Sequence, residues 1–195
     1  MIEFTDTKES NSMRKMMLAA VLGLFLLSPV HASDNIGVTP QEAREMVQEQ
    51  GDEFLFIDVR DPVEIMFVGN TDAVHANIPF LIVNRDKWDS KKNRFDPERN
   101  PNFVKEVEAA LEARGLSRDA VIVTMCRSGS ERGEPSARFL RENGFPNAKY
   151  VINGFQGGTI KEGERAGFRL KNGWQNSGLP WSTKMNPEKI YRTDR

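Results

Sequence analysis

Cysteine is almost absent from this 195-residue chain, which carries one, Cys126, beside two histidines and two tyrosines. A single thiol excludes an internal disulfide, and one cysteine with two histidines offers no cluster at zinc-ligand spacing, so no metal site and no other cofactor is expected. An excess of charge of either sign is also missing. The 27 basic and 28 acidic residues leave a formal net charge of −1, which argues against nucleic acid or an anionic membrane as partner. The chain contains no internal repeat and no low-complexity tract. Its longest apolar run, Met16 to Leu27, has 12 residues, short of the ~20 a spanning helix needs, so no stable membrane insertion is expected.

That short run has the form of an export signal. Arg14 and Lys15 precede it as a positive region, and Val30-His31-Ala32 follows as an A-x-A-like cleavage site. The expectation is a signal peptide over residues 1–32, cleaved after Ala32, and a periplasmic or secreted mature protein. Glu3, Asp6 and Glu9 are unusual ahead of such a segment and leave Met13 open as an alternative start. Residues 33–195 are of a length for one domain. In an oxidising compartment an unpaired thiol is either buried and inert or reactive, which makes the surroundings of Cys126 decisive.

Those surroundings are suggestive. Val121-Ile122-Val123 reads as a buried strand, Cys126 ends it, and a loop Arg127-Ser128-Gly129-Ser130-Glu131-Arg132 leads to a helix opening near Pro135. Loop N–H groups and the positive end of the following helix can converge on an anion or a thiolate. Elsewhere, Thr39, Pro40 and Glu42 spell a helix start with a capping box, and the helix is expected to stop near Gly51. Phe54 to Val59 reads as a strand ending beside Asp58, Val63 to Phe67 as a short helix, and Ala76 to Phe80 as a strand. Residues 84–100 are polar and charged and read as a long surface connection; 159–173 reads as a second insertion. Phe103, Val104, Val107, Ala110 and Leu111 lie at helical spacing with Asn100 or Asn102 as cap, and Lys149 to Ile152 is a further strand. Strands alternating with helices argue for a parallel sheet covered on both faces, with ligands at the carboxyl ends of its strands, where Asp58 and Cys126 fall.

Five segments then resemble the rhodanese superfamily over roughly Thr39 to Trp181: Phe56 to Pro62 with Glu64, Asn77-Ile78-Pro79, Val123 to Gly129, Val151 to Phe155, and Gly178 to Trp181. The resemblance implies an α/β three-layer sandwich, a five-stranded mostly parallel sheet with helices on both faces, and a nucleophilic Cys126 in an anion-cradling loop. Sulfur would pass through a Cys126 persulfide, from thiosulfate or a related small inorganic donor to cyanide, a thiol or a protein acceptor.

Two departures qualify the likeness. The usual Gly-His-Ile-Pro-Gly segment is replaced by Gly69 to His75, and Arg132 stands six positions after Cys126 where comparable sulfurtransferases have five. The resulting Cys-x5-Arg loop resembles that of the cell-cycle phosphatases. One more peptide unit suits a tetrahedral oxyanion clamped by Arg132, so a phosphatase or arsenate reductase-like enzyme is an alternative, with Glu131 protonating a leaving group. A non-catalytic sulfur carrier is a further one. Asp58 is expected to buttress the loop or an arginine, and Arg60 and Glu64 to form a supporting ion pair. His75 is expected to be solvated, Trp174 and Trp181 to pack, and Phe155 to line the pocket mouth.

Overall fold

The computed structural model describes residues 35–194. The signal peptide expected over residues 1–32 lies outside them. Strand β1 (Gly37–Val38) leads into α1 (Pro40–Gln50), whose start is the expected capping box: Glu42 N–H donates to Thr39 Oγ1 and Thr39 N–H to the Glu42 carboxylate. The helix ends at Gly51 with φ +51°. Strand β2 (Leu55–Asp58) is buried along its whole length. Asp61 caps α2 (Pro62–Val68) by accepting from Val63 N–H, and Pro62 fits the first helical position. Strand β3 (Ala76–Asn77) is followed by a hairpin, β4 (Leu81–Asp89) and β5 (Arg94–Arg99).

Helix α3 (Phe103–Glu112) buries Phe103, Val107 and Leu111 one turn apart. Strand β6 (Ile122–Met125) carries the cysteine at its end, α4 (Gly133–Glu142) follows the loop, and β7 (Ala148–Val151) completes the sheet. The order across the sheet is β1-β7-β6-β2-β3, every pair parallel, which is the α/β architecture expected.

Alternation along the strands sorts the core into two layers. Leu55, Ile57 and Ile122 face Phe103, Val107, Leu111, Ala137 and Leu140 from α3 and α4. Phe56, Val123 and Met125 face the other way, onto Ala43 of α1 and the buried Trp174. With layers packed on both sides, β2 and β6 have no solvent-facing side, which explains their mostly apolar sequence; the polar Asp58 and Thr124 are both buried and hydrogen-bonded.

The hairpin corrects the reading of 84–100 as a connection. Leu81 to Arg99 is a two-stranded antiparallel sheet, turning through Asn93 at φ +50°. Most of it faces solvent, so its stabilising cross-strand pairs are charged or aromatic: Lys87 with Glu98, and Trp88 edge-on to Phe95 at 5.4 Å. A register shift between Asn84 and Trp88 further interrupts the alternation that marks a strand. The 159–173 segment contains no helix or strand. No helix among the described residues is long and apolar enough to cross a membrane.

Candidate active site

Met125 and Asp58 are paired at the carboxyl ends of the neighbouring strands β6 and β2. The chain leaves β6 at Cys126 and turns back through Gly129, at φ +84°. Gly129 N–H points at Cys126 Sγ, 3.2 Å away. The loop closes on the first turn of α4. Glu134 N–H donates to Gly129 C=O at 2.8 Å, and the Thr124 and Ser136 hydroxyls both donate to Gly133 C=O at 2.9 Å. A methyl group at Gly133 would stand 3.4 Å from Sγ, so the helix begins in contact with the sulfur. Cys126 is thus a buried thiol with its Sγ set against a loop amide and the first residue of a helix.

A second turn fixes the loop from behind. Phe155 N–H donates to Cys126 C=O at 2.7 Å, and the N–H groups of Gln156 and Gly157 donate to Arg127 C=O at 2.8 and 3.0 Å. These bonds hold the two carbonyls toward the 153–157 turn. Gly154 permits the approach: at φ +55°, a Cβ there would lie 2.2 Å from Cys126 O.

Two buried or half-buried ion pairs flank the loop. Asp58 grips Arg60, Nη2 to Oδ2 at 2.6 Å, with both side chains out of solvent; the guanidinium also donates to Gly69 C=O and lies 4.3 Å over the Phe155 ring. Arg132 is bidentate on Glu64, at 2.7 and 3.1 Å. The expected Arg60–Glu64 pair does not form, because Arg60 is taken by Asp58 two residues before it and Glu64 by Arg132 reaching in from the end of the cysteine loop. Burial disfavours charge on Arg132, but the Glu64 carboxylate outweighs it and holds the guanidinium more firmly protonated than usual. Arg132 is therefore a clamp on Glu64, where the sequence suggested a clamp on an oxyanion. Glu131 is exposed and faces Arg94 of β5 at 3.4 Å. Ser128 and Ser130 pair through their hydroxyls at 3.1 Å.

Other expectations are corrected. Phe155 is fully buried under Arg60 and does not line a mouth. His75 is half-buried against Phe54, its Nδ1 accepting from Phe56 N–H at 2.9 Å, so it is a packed side chain where a solvated one was expected. Trp174 packs as expected, donating from Nε1 to Pro180 C=O, while Trp181 is partly exposed and meets the Phe155 edge.

A cleft of about 410 Å³ opens beside the loop. Arg127, Glu131 and Arg132 form its loop side, Glu64 its α2 side, and Leu81, Val83, Arg94, Phe95 and Pro97 of the hairpin its far wall. The hairpin residues were missed in the sequence, where only the apolar spacing of Leu81 and Val83 hinted at a strand. Arg169, from the 159–173 segment, was missed as well. It donates to Gly157 C=O, one hydrogen bond from the Arg127 backbone, and burial together with the Arg127 charge lowers its basicity. Nothing in its sequence neighbourhood signals that placement.

The model of the rhodanese-like domain family matches residues 39–161, which span β2 to β7, the cysteine loop and the turn behind it. The chain belongs to the rhodanese-like domain family. Among curated relatives of this rhodanese-like protein, a tRNA uridine(34) hydroxylase of Corynebacterium efficiens is 26% identical over 153 residues, covering 78% of this chain and 40% of its own. The protein of the same name from Corynebacterium glutamicum is 27% identical with the same coverage. The chain thus spans about two-fifths of the length of these relatives. The crystal structure of Rv0390 from M. tuberculosis aligns with a TM-score of 0.52 and 28% identity, over 76% of this chain and 97% of that one.

Proposed function

We propose that this rhodanese-like domain is an exported sulfurtransferase that carries sulfane sulfur as a persulfide on Cys126. The Cys126 thiolate attacks the outer sulfur of an anionic donor such as thiosulfate; the donor S–S bond breaks, sulfite departs with the electron pair, and Cys126 keeps the sulfur. An acceptor nucleophile then attacks that outer sulfur and the Cys126 thiolate leaves. Arg127, whose backbone is fixed by the 153–157 turn, stands next to the nucleophile to attract the donor, and the Gly129 amide receives charge on sulfur.

The observation carrying this reading over phosphoryl or arsenate chemistry is the Arg132–Glu64 pair. In a Cys-x5-Arg oxyanion site the arginine must turn its fork to the bound tetrahedron, whereas here both guanidinium arms hold a carboxylate. The net charge of −1 likewise gives no support to tRNA as substrate, the molecule named for the curated relatives.

The experiment is thiosulfate with cyanide, read as thiocyanate, alongside mass spectrometry of Cys126. Thiocyanate production and one added sulfur atom on Cys126, both lost in Cys126→Ser, are expected. Cleavage of an aryl phosphate without thiocyanate formation would overturn the assignment, and a stable persulfide without turnover would favour the carrier. Export is tested by N-terminal sequencing of the periplasmic fraction, where Ser33 should be the first residue.

A further inference from the structure

The cleft between the hairpin and the cysteine loop is larger than the sulfur-transfer chemistry of a small inorganic donor requires. A volume of about 410 Å³ falls in the range of organic ligand sites. Its far wall carries four apolar side chains, Leu81, Val83, Phe95 and Pro97, beside Arg94, and Val83 and Phe95 are each more than two-fifths exposed. A monomer that leaves such side chains uncovered beside its nucleophile loses the stabilisation that burying them would bring.

Charge in the cleft is specific. Its lining holds Arg94, Arg127 and Arg132 against Glu64 and Glu131, a net charge of one positive. Glu64 is taken by Arg132, and Glu131 faces Arg94. Arg127 is the remaining cation of the lining, and it directly follows Cys126 in the chain. The cleft therefore presents mostly apolar hairpin side chains on one side and, on the other, Arg127, the cation of its lining without a carboxylate partner, on the loop that begins at Cys126.

We infer that this cleft binds the sulfur acceptor, an organic thiol with an apolar body and one carboxylate. The inference rests on the sulfur-transfer reading. The body lies against Val83 and Phe95, the carboxylate meets Arg127, and the thiolate attacks the outer sulfur of the Cys126 persulfide. A new S–S bond forms on the acceptor, the persulfide S–S bond breaks, and the electron pair returns to Cys126 as thiolate. The product is the acceptor persulfide, and no external oxidant or reductant is consumed.

Two measurements on the intact protein test this. Phenylacetate, which has the body and carboxylate but no thiol, is titrated by NMR into the wild type, Phe95→Ala, Arg127→Met and Phe67→Ser. Phe67 is exposed on α2 and absent from the cleft lining, so it serves as the control. Saturable binding is expected, about tenfold weaker in Phe95→Ala and in Arg127→Met and unchanged in Phe67→Ser. In the second measurement mercaptophenylacetate competes with cyanide for persulfide sulfur, and its kcat/KM relative to cyanide should fall about tenfold in Phe95→Ala.

Absence of saturable binding, or equal weakening in Phe67→Ser, overturns the site. Thiocyanate formation without phenylacetate binding removes this inference and leaves the sulfur-transfer reading intact. Phenylacetate binding in a protein that passes no sulfur to either acceptor overturns the acceptor role together with that reading.

Discussion

The Arg132 guanidinium and the Glu64 carboxylate face each other fork to fork, joining the end of the cysteine loop to helix α2. The pair is mostly withdrawn from solvent, with side-chain exposures of 12% and 19%, so its attraction is not screened as a surface pair would be.

Replacing Glu64 by Gln should therefore have two effects. Stability should fall by about 3 kcal/mol, the lower end for breaking a buried pair. Inhibition by sulfate or phosphate should tighten about tenfold, since a freed guanidinium gains a charge-assisted bond worth ~1.5–3 kcal/mol. Denaturant titration and competitive inhibition against thiosulfate measure the two. Unchanged inhibition constants would mean that Arg132 remains turned away from the anion.

Asp58 and Arg60 form the more deeply buried pair. Asp58→Ala leaves a guanidinium with no counter-charge beneath the sheet edge, and should cost about 3–5 kcal/mol of stability. The thermal midpoint of Asp58→Ala against Asp58→Asn checks this, because Asn restores part of the hydrogen bonding but not the charge.

Gly154→Ala should reduce sulfur transfer by more than it lowers the unfolding midpoint. The residue sits at φ +55° and its new methyl would meet Cys126 O, so the cysteine loop must shift. A loss of about 1–3 kcal/mol in stability is expected from the strain, with turnover falling about a hundredfold because the nucleophile is misplaced. Paired measurements of kcat and denaturation midpoint decide it.

His75 supplies a pH dependence. Burial, then the positive charges of Arg114 and Lys189, lower its pKa from the ordinary 6.5 to about 4. Between these values the unfolded chain binds a proton that the folded protein does not, so stability rises with pH through this window and is lost as pH falls from 6.5 toward about 4. Denaturant titrations across that range should show the slope, and His75→Gln should flatten it.

The fold and the strand-cysteine-helix arrangement were legible because their signals are local. The capping box at Thr39 and Glu42, the mostly apolar runs of β2 and β6, and a cysteine between strand and helix each follow from a few adjacent residues. Partner choice among charges was not legible. Arg60 and Glu64 stand four positions apart, a spacing that suggests a pair, yet Arg60 points to Asp58, and Glu64 meets an arginine 68 positions away. The hairpin escaped notice for a related reason. A two-sided, solvent-facing pair of strands needs no apolar alternation, so Arg94 and Phe95 carried no mark of their place beside the active loop.

Asp61 divides its two oxygens between distant parts of the chain. Oδ1 accepts from Val63 N–H at the start of α2, and Oδ2 accepts from Val83 N–H in the hairpin, at 2.8 and 3.0 Å. One carboxylate thus works as a rivet between the cleft's outer wall and the helix that bears Glu64. The hairpin and the root of α2, the helix that bears Glu64, are therefore tied at one side chain.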